Sequence, residues 1–395
     1  MSRPRPVADR AELAELVATR RDLHAHPELA FQENRTAALV ADRLGALGYT
    51  VKTGVGRTGV TGVMRGGATV ARKERKLLLR ADMDALPIRE TGEAAYRSTV
   101  PGVMHACGHD GHVAIGLGVA KRLADTQAEW RGTVKFVFQP AEEPGNGAQA
   151  MIADGVLDSP SVDAAFGLHL ISHLPVGTIA ATPGAIMGSV DNFTVRIRGK
   201  GGHAAMPHTA VDPVLAAAHV VTALQSLVSR AADPFDQLVV SVTRVTAGTT
   251  SNVIPEEAEL EGTVRTMGGP LYADIADRFT ALVKSVAGAL GCAASVAYAR
   301  QTPPVVNDEA MTELVAHVAG DLVGEDQVLR RERMLGGEDF AFFLQRLPGC
   351  FVWVGCGNAE KGIDAPHHSS RFDIDEEAMV IGVDLLERVT REYLV

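Results

Sequence analysis

Cysteine is scarce in this chain of 395 residues: there are four, Cys107, Cys292, Cys350 and Cys356, with no Cys-x-x-Cys pair. That excludes a disulfide scaffold and a four-cysteine structural zinc site, and it fits a reducing cytoplasm. Cys350 and Cys356 flank an apolar run and read as buried thiols. Positive charge is also short. Lys and Arg number 38 against 48 Asp and Glu, a net charge of −10, which argues against nucleic acid or an anionic membrane surface as partner. No apolar run reaches the ~18 residues a membrane span needs. The opening MSRPRPVADRAEL has basic residues but no apolar core behind them, so it does not read as a secretion signal. Internal repeats and low-complexity tracts are missing as well. What is present, 46% hydrophobic and 22% charged residues with 40 glycines, is a globular composition. The length is too great for one ordinary core, so two domains are expected.

The densest chemistry lies in Met104-His105-Ala106-Cys107-Gly108-His109-Asp110-Gly111-His112. Imidazole, thiolate and carboxylate are the ligands that divalent transition metals prefer. A polar loop that caps a helix at Asp110 would account for His112 and His105. It would not account for Cys107 and His109 together.

The surroundings point the same way. Amphipathic helices are expected over 11–26 and 33–48, and further helices over Val113–Leu123 and about 147–155. Three strands alternate with them. Lys76–Arg80 empties into Asp82 and Asp84, Thr133–Phe138 into Glu142 and Glu143, and Asp163–Leu168 into His169. Such alternation predicts an α/β fold with a mostly parallel sheet covered by helices. Ligands of such sheets sit beyond the carboxyl ends of the strands, so these residues should converge with Cys107 and His109. In the Glu142-Glu143 pair one carboxylate can bind metal while its neighbour accepts a proton from water acidified by that metal.

The pattern changes near residue 190. Asp191–Lys200, Gln237–Thr246, Glu257–Met267 and Ala293–Arg300 alternate as half-exposed strands, with helices over Asp212–Ser229 and Pro270–Leu290. This β-α-β-β-α-β order predicts an inserted ferredoxin-like α+β domain. The expected domains are 1–187 with 304–395, and 188–303. A free sheet edge on the insert would suit dimerisation.

RADMDALPI, MHACGHDGHVA, QPAEE, GLH, GGHAAMPH, SNVIPEEAELEGTVRT, GGEDF and HHSSRFDIDE together resemble a group of metal-dependent amidohydrolases. It includes hippurate hydrolase, N-acyl-amino-acid deacetylases and the hydrolases of auxin–amino-acid conjugates, relatives of the aminoacylases. The resemblance spans about residues 15–390. It implies two divalent metal ions, zinc first on ligand softness with manganese, cobalt or nickel open. The implied ligands are Cys107, His109, Glu143, His169 and a late histidine. His367 and His368 both compete for that place. The family spacing, four residues before an aromatic (here Phe372), selects His368, although Ser370 stands where proline is frequent. Glu142 matches the catalytic base. Asp82-x-Asp84 replaces a His-x-Asp motif, which leaves Asp84 to orient an imidazole and Asp82 unassigned. His203 matches a histidine that stabilises the oxyanion, in relatives at the partner subunit's active site. Asn252 lies in the matching SNVIP segment. Arg265 would clamp the substrate's carboxylate, or else pair with Glu261. His24, His26, His112, His173, His208, His219 and His317 read as structural or surface residues. The implied activity is hydrolysis of N-acyl amino acids by a homodimer built through the insert. A dipeptide-cleaving exopeptidase and a catalytically silent metal- or metabolite-binding protein are the competing readings.

Overall fold

The computed structural model describes residues 10–68 and 74–395, so the first nine residues of the opening stretch lie outside it. The chain forms two compact units. One runs to Gly184 and resumes over Val306–Arg333 and Glu338–Val395; the other comprises Ala185–Val305 and Met334–Gly337. The last four residues join the second unit because the Gly188 amide donates to Met334 O (3.1 Å) and Gly336 O (3.0 Å). No periodicity in the sequence signals that return.

The first unit holds an eight-stranded sheet. Its order is Thr50–Val55, Gly59–Arg65, Thr133–Gln139, Lys76–Asp82, Ala164–Pro175, Gly349–Gly357, Ile179–Ala180, Val328–Leu329. The four middle strands are parallel, from Thr133–Gln139 to Gly349–Gly357. Thr133–Gln139 and Gly349–Gly357 are buried at every position, as strands covered on both faces are. The sheet is mixed, not uniformly parallel. Its first two strands form an antiparallel hairpin whose turn residues Gly56 and Arg57 both have positive φ, 63° and 81°. Helices Arg10–Ala25, His109–Asp125 and Glu377–Leu394 supply Leu16, Leu23, Val113, Leu117, Val383 and Leu385 to the core.

The second unit is a four-stranded antiparallel sheet in the order Leu238–Ala247, Glu257–Thr266, Val190–Arg198, Ala293–Thr302. With helices Pro213–Ser226 and Gly269–Ala289 this is the ferredoxin-like arrangement. Asp212 caps the first of these helices by accepting from Val214 and Leu215 amides, and Pro213 occupies its first turn. Alternation does the packing: Phe193, Val195 and Ile197 face Val220, Leu224, Phe279 and Val283. Contrary to the expectation from sequence, one run, Pro213–Ala231, is long and apolar enough to span a membrane. Its inner residues Ala216, Ala217, Val220 and Leu224 are spent on this core instead.

Candidate metal centre

Four pieces of the first unit meet beyond the carboxyl ends of its middle strands. Gly108 (φ 93°) turns the chain sharply into the helix His109–Asp125, a conformation that favours glycine. Cys107 therefore precedes the helix and His109 opens it. Asp110 does not cap this helix: its carboxylate accepts from Arg20 Nε and from His24 Nδ1, both at 2.8 Å. The strand Thr133–Gln139 ends three residues before the turn that carries Glu142 and Glu143. Both turn amides donate to one carboxylate, Glu142 N to Asp84 Oδ1 (2.9 Å) and Glu143 N to Asp84 Oδ2 (3.1 Å). The turn is tight enough that a Cβ on Gly147 would lie 1.6 Å from Pro140 O. His169 was expected just past a strand. It lies inside one, because Ala164–Pro175 continues alongside Gly349–Gly357, with His169 opposite Trp353. His368 comes from the loop before the last helix, with φ 63°.

These side chains form one connected group. The ligand atoms of Cys107, His109 and His169 lie within 4.8 Å of one another, as do those of Cys107, Glu143 and His368, and of His109, Glu142 and Glu143. Cys107 Sγ is 3.5 Å from His169 Nε2, and His368 Nε2 is 3.4 Å from Glu143 Oε2. His109 Nδ1 donates to the Asp84 backbone carbonyl (2.8 Å), a closer partner than the Asp84 carboxylate (3.3 Å) expected to orient the ring. His109 Nε2 and Glu143 Oε1 are buried with no hydrogen-bond partner among the described residues. Buried polar atoms without partners are costly. Aimed into a cluster of thiol, imidazole and carboxylate, they fit divalent metal ions, and overlapping ligand sets that share Cys107, His109 and Glu143 fit a pair. His367 joins none of these sets. Its Nε2 donates to Leu170 O (2.9 Å), its Nδ1 faces Ser172 Oγ (3.3 Å), and burial pushes it down to about 4.

The electrostatics divide the roles. Burial, then the carboxylates of Glu338 and Glu143, push the Glu142 carboxyl well above its usual range. Burial and the neighbouring His112 hold His169 well below the usual imidazole range. His368 is raised to about 10 by its hydrogen bonds to Cys107 and Glu143.

A second group gives Asp82, unassigned from the sequence, its partners, and joins it to the acids of the GGEDF motif. Arg80, wholly buried, pairs with Asp82 (2.6 Å), Glu338 (2.8 Å) and Asp339 (3.2 Å). Gln139 Nε2 and the Ala148 amide also donate to Asp339. Burial, only partly offset by Arg80, pushes Asp339 up to about 7. The available signal was Arg80 itself, a cation at the end of an otherwise apolar strand.

The remaining nominated residues lie in the second unit. His203 is exposed, on the short strand Gly202–His203 paired with Val253–Ile254. Its Nδ1 accepts the Ala205 amide (3.1 Å), which leaves the ring proton on Nε2. Asn252 sits beside it, its carbonyl taking the Ala204 amide (3.1 Å) and its Oδ1 taking the Thr250 hydroxyl (2.9 Å). Arg265 donates from Nε to Thr263 Oγ1 (3.1 Å). Glu261, its alternative partner, is paired with Arg244 instead.

A buried acid–base group fused to a metal-ligating cluster defines a metal-dependent hydrolase. Comparison with known proteins gives the family. The profile described as peptidase family M20/M25/M40 matches residues 78–392, and the chain belongs to that family. It is 40% identical over 381 residues to N-acetylcysteine deacetylase of Bacillus subtilis (strain 168), covering 95% of this chain and 96% of that one. It is 38% identical over 383 residues to IAA-amino acid hydrolase ILR1-like 4 of Arabidopsis thaliana, covering 96% and 86%. Among solved structures it resembles Bacillus subtilis YXEP protein, described as a dinuclear metal-binding peptidase from the M20 family. The TM-score there is 0.86 at 36% identity, over 98% of this chain and 99% of that one. The protein is thus a metal-dependent hydrolase of amide bonds.

Proposed function

We propose that the protein hydrolyses N-acyl amino acids to a carboxylic acid and a free amino acid. The observation that carries this is Glu142, buried beside Glu143 in a turn fixed by Asp84, with Oε2 4.0 Å from His109 Nε2, which has no hydrogen-bond partner among the described residues. Cys107, His109, Glu143, His169 and His368 would hold two divalent ions, zinc first, with manganese, cobalt and nickel as alternatives. When bound, such ions supply Lewis-acid polarisation of the amide carbonyl and acidify water. Glu142 takes the proton of the attacking water and returns it to the leaving nitrogen. Burial and the neighbouring carboxylates raise its affinity for protons, which suits the uptake step. His203 gives a hydrogen bond from Nε2–H to the carbonyl oxygen as that oxygen becomes negative. Arg265 clamps the substrate carboxylate, with Asn252 as a neutral binding group. Asp84 acts by holding the turn and the His109 ring.

The exposed Val214, Leu215, Phe235 and Val245 of the second unit, with the edge strand Leu238–Ala247, support a homodimer built through that unit. Four buried free cysteines support a reducing, cytoplasmic location.

A second reading, an exopeptidase on dipeptides, is favoured by relatives named carboxypeptidases, thermostable carboxypeptidases 1 and 2 of Saccharolobus solfataricus, 38% identical over 371 residues and 39% over 374. The deciding measurement is amine release from N-acetyl, N-benzoyl and longer N-acyl amino acids, with dipeptides alongside. Metal-stripped protein is resupplied in turn with zinc, manganese, cobalt or nickel. Metal-dependent cleavage of one acyl class above dipeptides is expected. Faster cleavage of dipeptides selects the exopeptidase, and no cleavage with any metal selects a silent metal-binding protein.

A further inference from the structure

His112 and Asp82 have no part in the chemistry above, yet both are buried against it. His112 lies one helical turn after His109, so the two imidazoles share a helix face, with ring centroids 5.4 Å apart. Its Nε2 accepts the Leu170 amide proton at 2.9 Å. An imidazole nitrogen that accepts carries no proton, so the proton is on Nδ1, which donates to Asp82 Oδ1 at 2.6 Å. The other Asp82 oxygen takes Arg80 Nη1 at 2.6 Å.

The carbonyl of the same residue, Leu170 O, accepts His169 Nδ1–H at 2.8 Å and His367 Nε2–H at 2.9 Å. His169 is thereby turned so that Nε2 faces Cys107 Sγ. The sheet explains why imidazoles do this work. The pairing of Lys76–Asp82 with Ala164–Pro175 stops at Arg80 opposite Gly167. Beyond that point Leu170 has lost its strand neighbour on this side. Its amide and carbonyl would be buried without partners, which is costly. Side chains take the place of the missing strand.

We infer that His112, held by Asp82 and Arg80, is a positioning residue that fixes the ligand His169 through the backbone of Leu170, whose amide it accepts and whose carbonyl orients the His169 ring. This rests on the reading of His169 as a metal ligand. Partners behind a ligating histidine tune its ring orientation, and their loss typically costs roughly 10–100-fold in metal affinity.

Two substitutions separate the peptide contact from the carboxylate contact. A glutamine oxygen reaches the place of Nε2 and can still accept the Leu170 amide. An asparagine amide reaches the place of Nδ1 and can keep only Asp82. The experiment is chelator competition for zinc on the full chain, comparing the unaltered protein, His112→Gln, His112→Asn and His169→Ala, with melting of each variant recorded. The expected result is that His112→Asn loosens one zinc by roughly 10–100-fold, while His112→Gln stays close to the unaltered protein. Zinc affinity in His112→Asn equal to that of the unaltered protein overturns the inference. So does an equal loss in both variants that tracks their melting temperatures, since that is what a merely structural residue gives. If His169→Ala holds both zincs normally, the ligand assignment falls too, which differs from failure at His112 alone. Should His112→Asn not fold, ¹⁵N spectra of the unaltered protein decide. The proton on His112 Nδ1 is expected, and a proton on Nε2 removes the contact on which the inference stands.

Discussion

The two units handle charge in opposite ways. In the first, cations and carboxylates are buried together. Arg80 is wholly enclosed with Asp82, Glu338 and Asp339, and Arg20 with Asp110. In the second, ion pairs such as Arg196–Glu259, Arg198–Glu257 and Arg244–Glu261 lie across the open face of a sheet. Its nominated residues His203 and Asn252 are exposed. Burying charge is expensive unless every group has a partner, and groups so partnered are fixed in place. The comparison teaches that the first unit spends stability on pre-set geometry, whereas the second presents single groups whose loss should leave its fold intact.

The largest expected effect tests that pre-set geometry directly. Glu142→Ala should lower turnover on N-acyl substrates by about 10²–10⁴-fold, with metal content and melting temperature held. Substantial residual turnover, read in the same amine-release assay, breaks the assignment. Next comes Arg80→Met. Removing one partner of a buried ion-pair group typically costs about 3–5 kcal/mol, and here it strands three carboxylates at once. Denaturant unfolding reads this, and a loss under 1 kcal/mol would show that the network is not bearing on stability.

His24 tests the same contrast through pH. Burial alone would lower its pKa, but the hydrogen bonds it donates to Asp110 and Glu90 raise it to about 9. A histidine whose pKa is raised on folding stabilises the fold in full below its unfolded value near 6.5 and loses that contribution as pH rises through 9. The shift corresponds to on the order of 3 kcal/mol. Unfolding curves between pH 6 and 10 should therefore fall more steeply for the unaltered protein than for His24→Gln; parallel curves would contradict the raised value. The smallest effect belongs to the second unit. Arg244→Met removes an exposed pair and should cost less than about 1 kcal/mol. A cost matching that of Arg80→Met would erase the distinction between the units.

Much of this centre is legible in the sequence because its residues follow buried strands or open a helix. Lys76–Asp82 and Thr133–Gln139 are apolar runs with acids just beyond them, and Cys107 and His109 precede a helix. The insert is legible through period-two alternation, as in Val190–Arg198. What could not be read is partnership across distance. Arg80 meets Glu338 across 258 positions, and no local pattern marks that meeting. His112 looks like any helix histidine until the end of a strand pairing is known. The strand bearing His169 looked shorter than it is, because its last residues are polar-flanked and are held by Gly349–Gly357.

The enclosure of Arg20 has a consequence for how the chain is made. Its partners are Asp110 on one side and Asp373 and Glu376 on the other, 353 and 356 positions away. The sheet likewise waits for Gly349–Gly357 to pair with Ala164–Pro175. Nearly all of the second unit, by contrast, is one uninterrupted stretch, Ala185–Val305. During synthesis from the amino end, that stretch can close on the ribosome while the flanking halves are still apart. Proteolysis of chains stalled after residue 340 should find the insert already resistant and the surrounding unit still open to cleavage. Equal resistance of both at that length would mean that the buried arginine is not what the rest of the chain waits for.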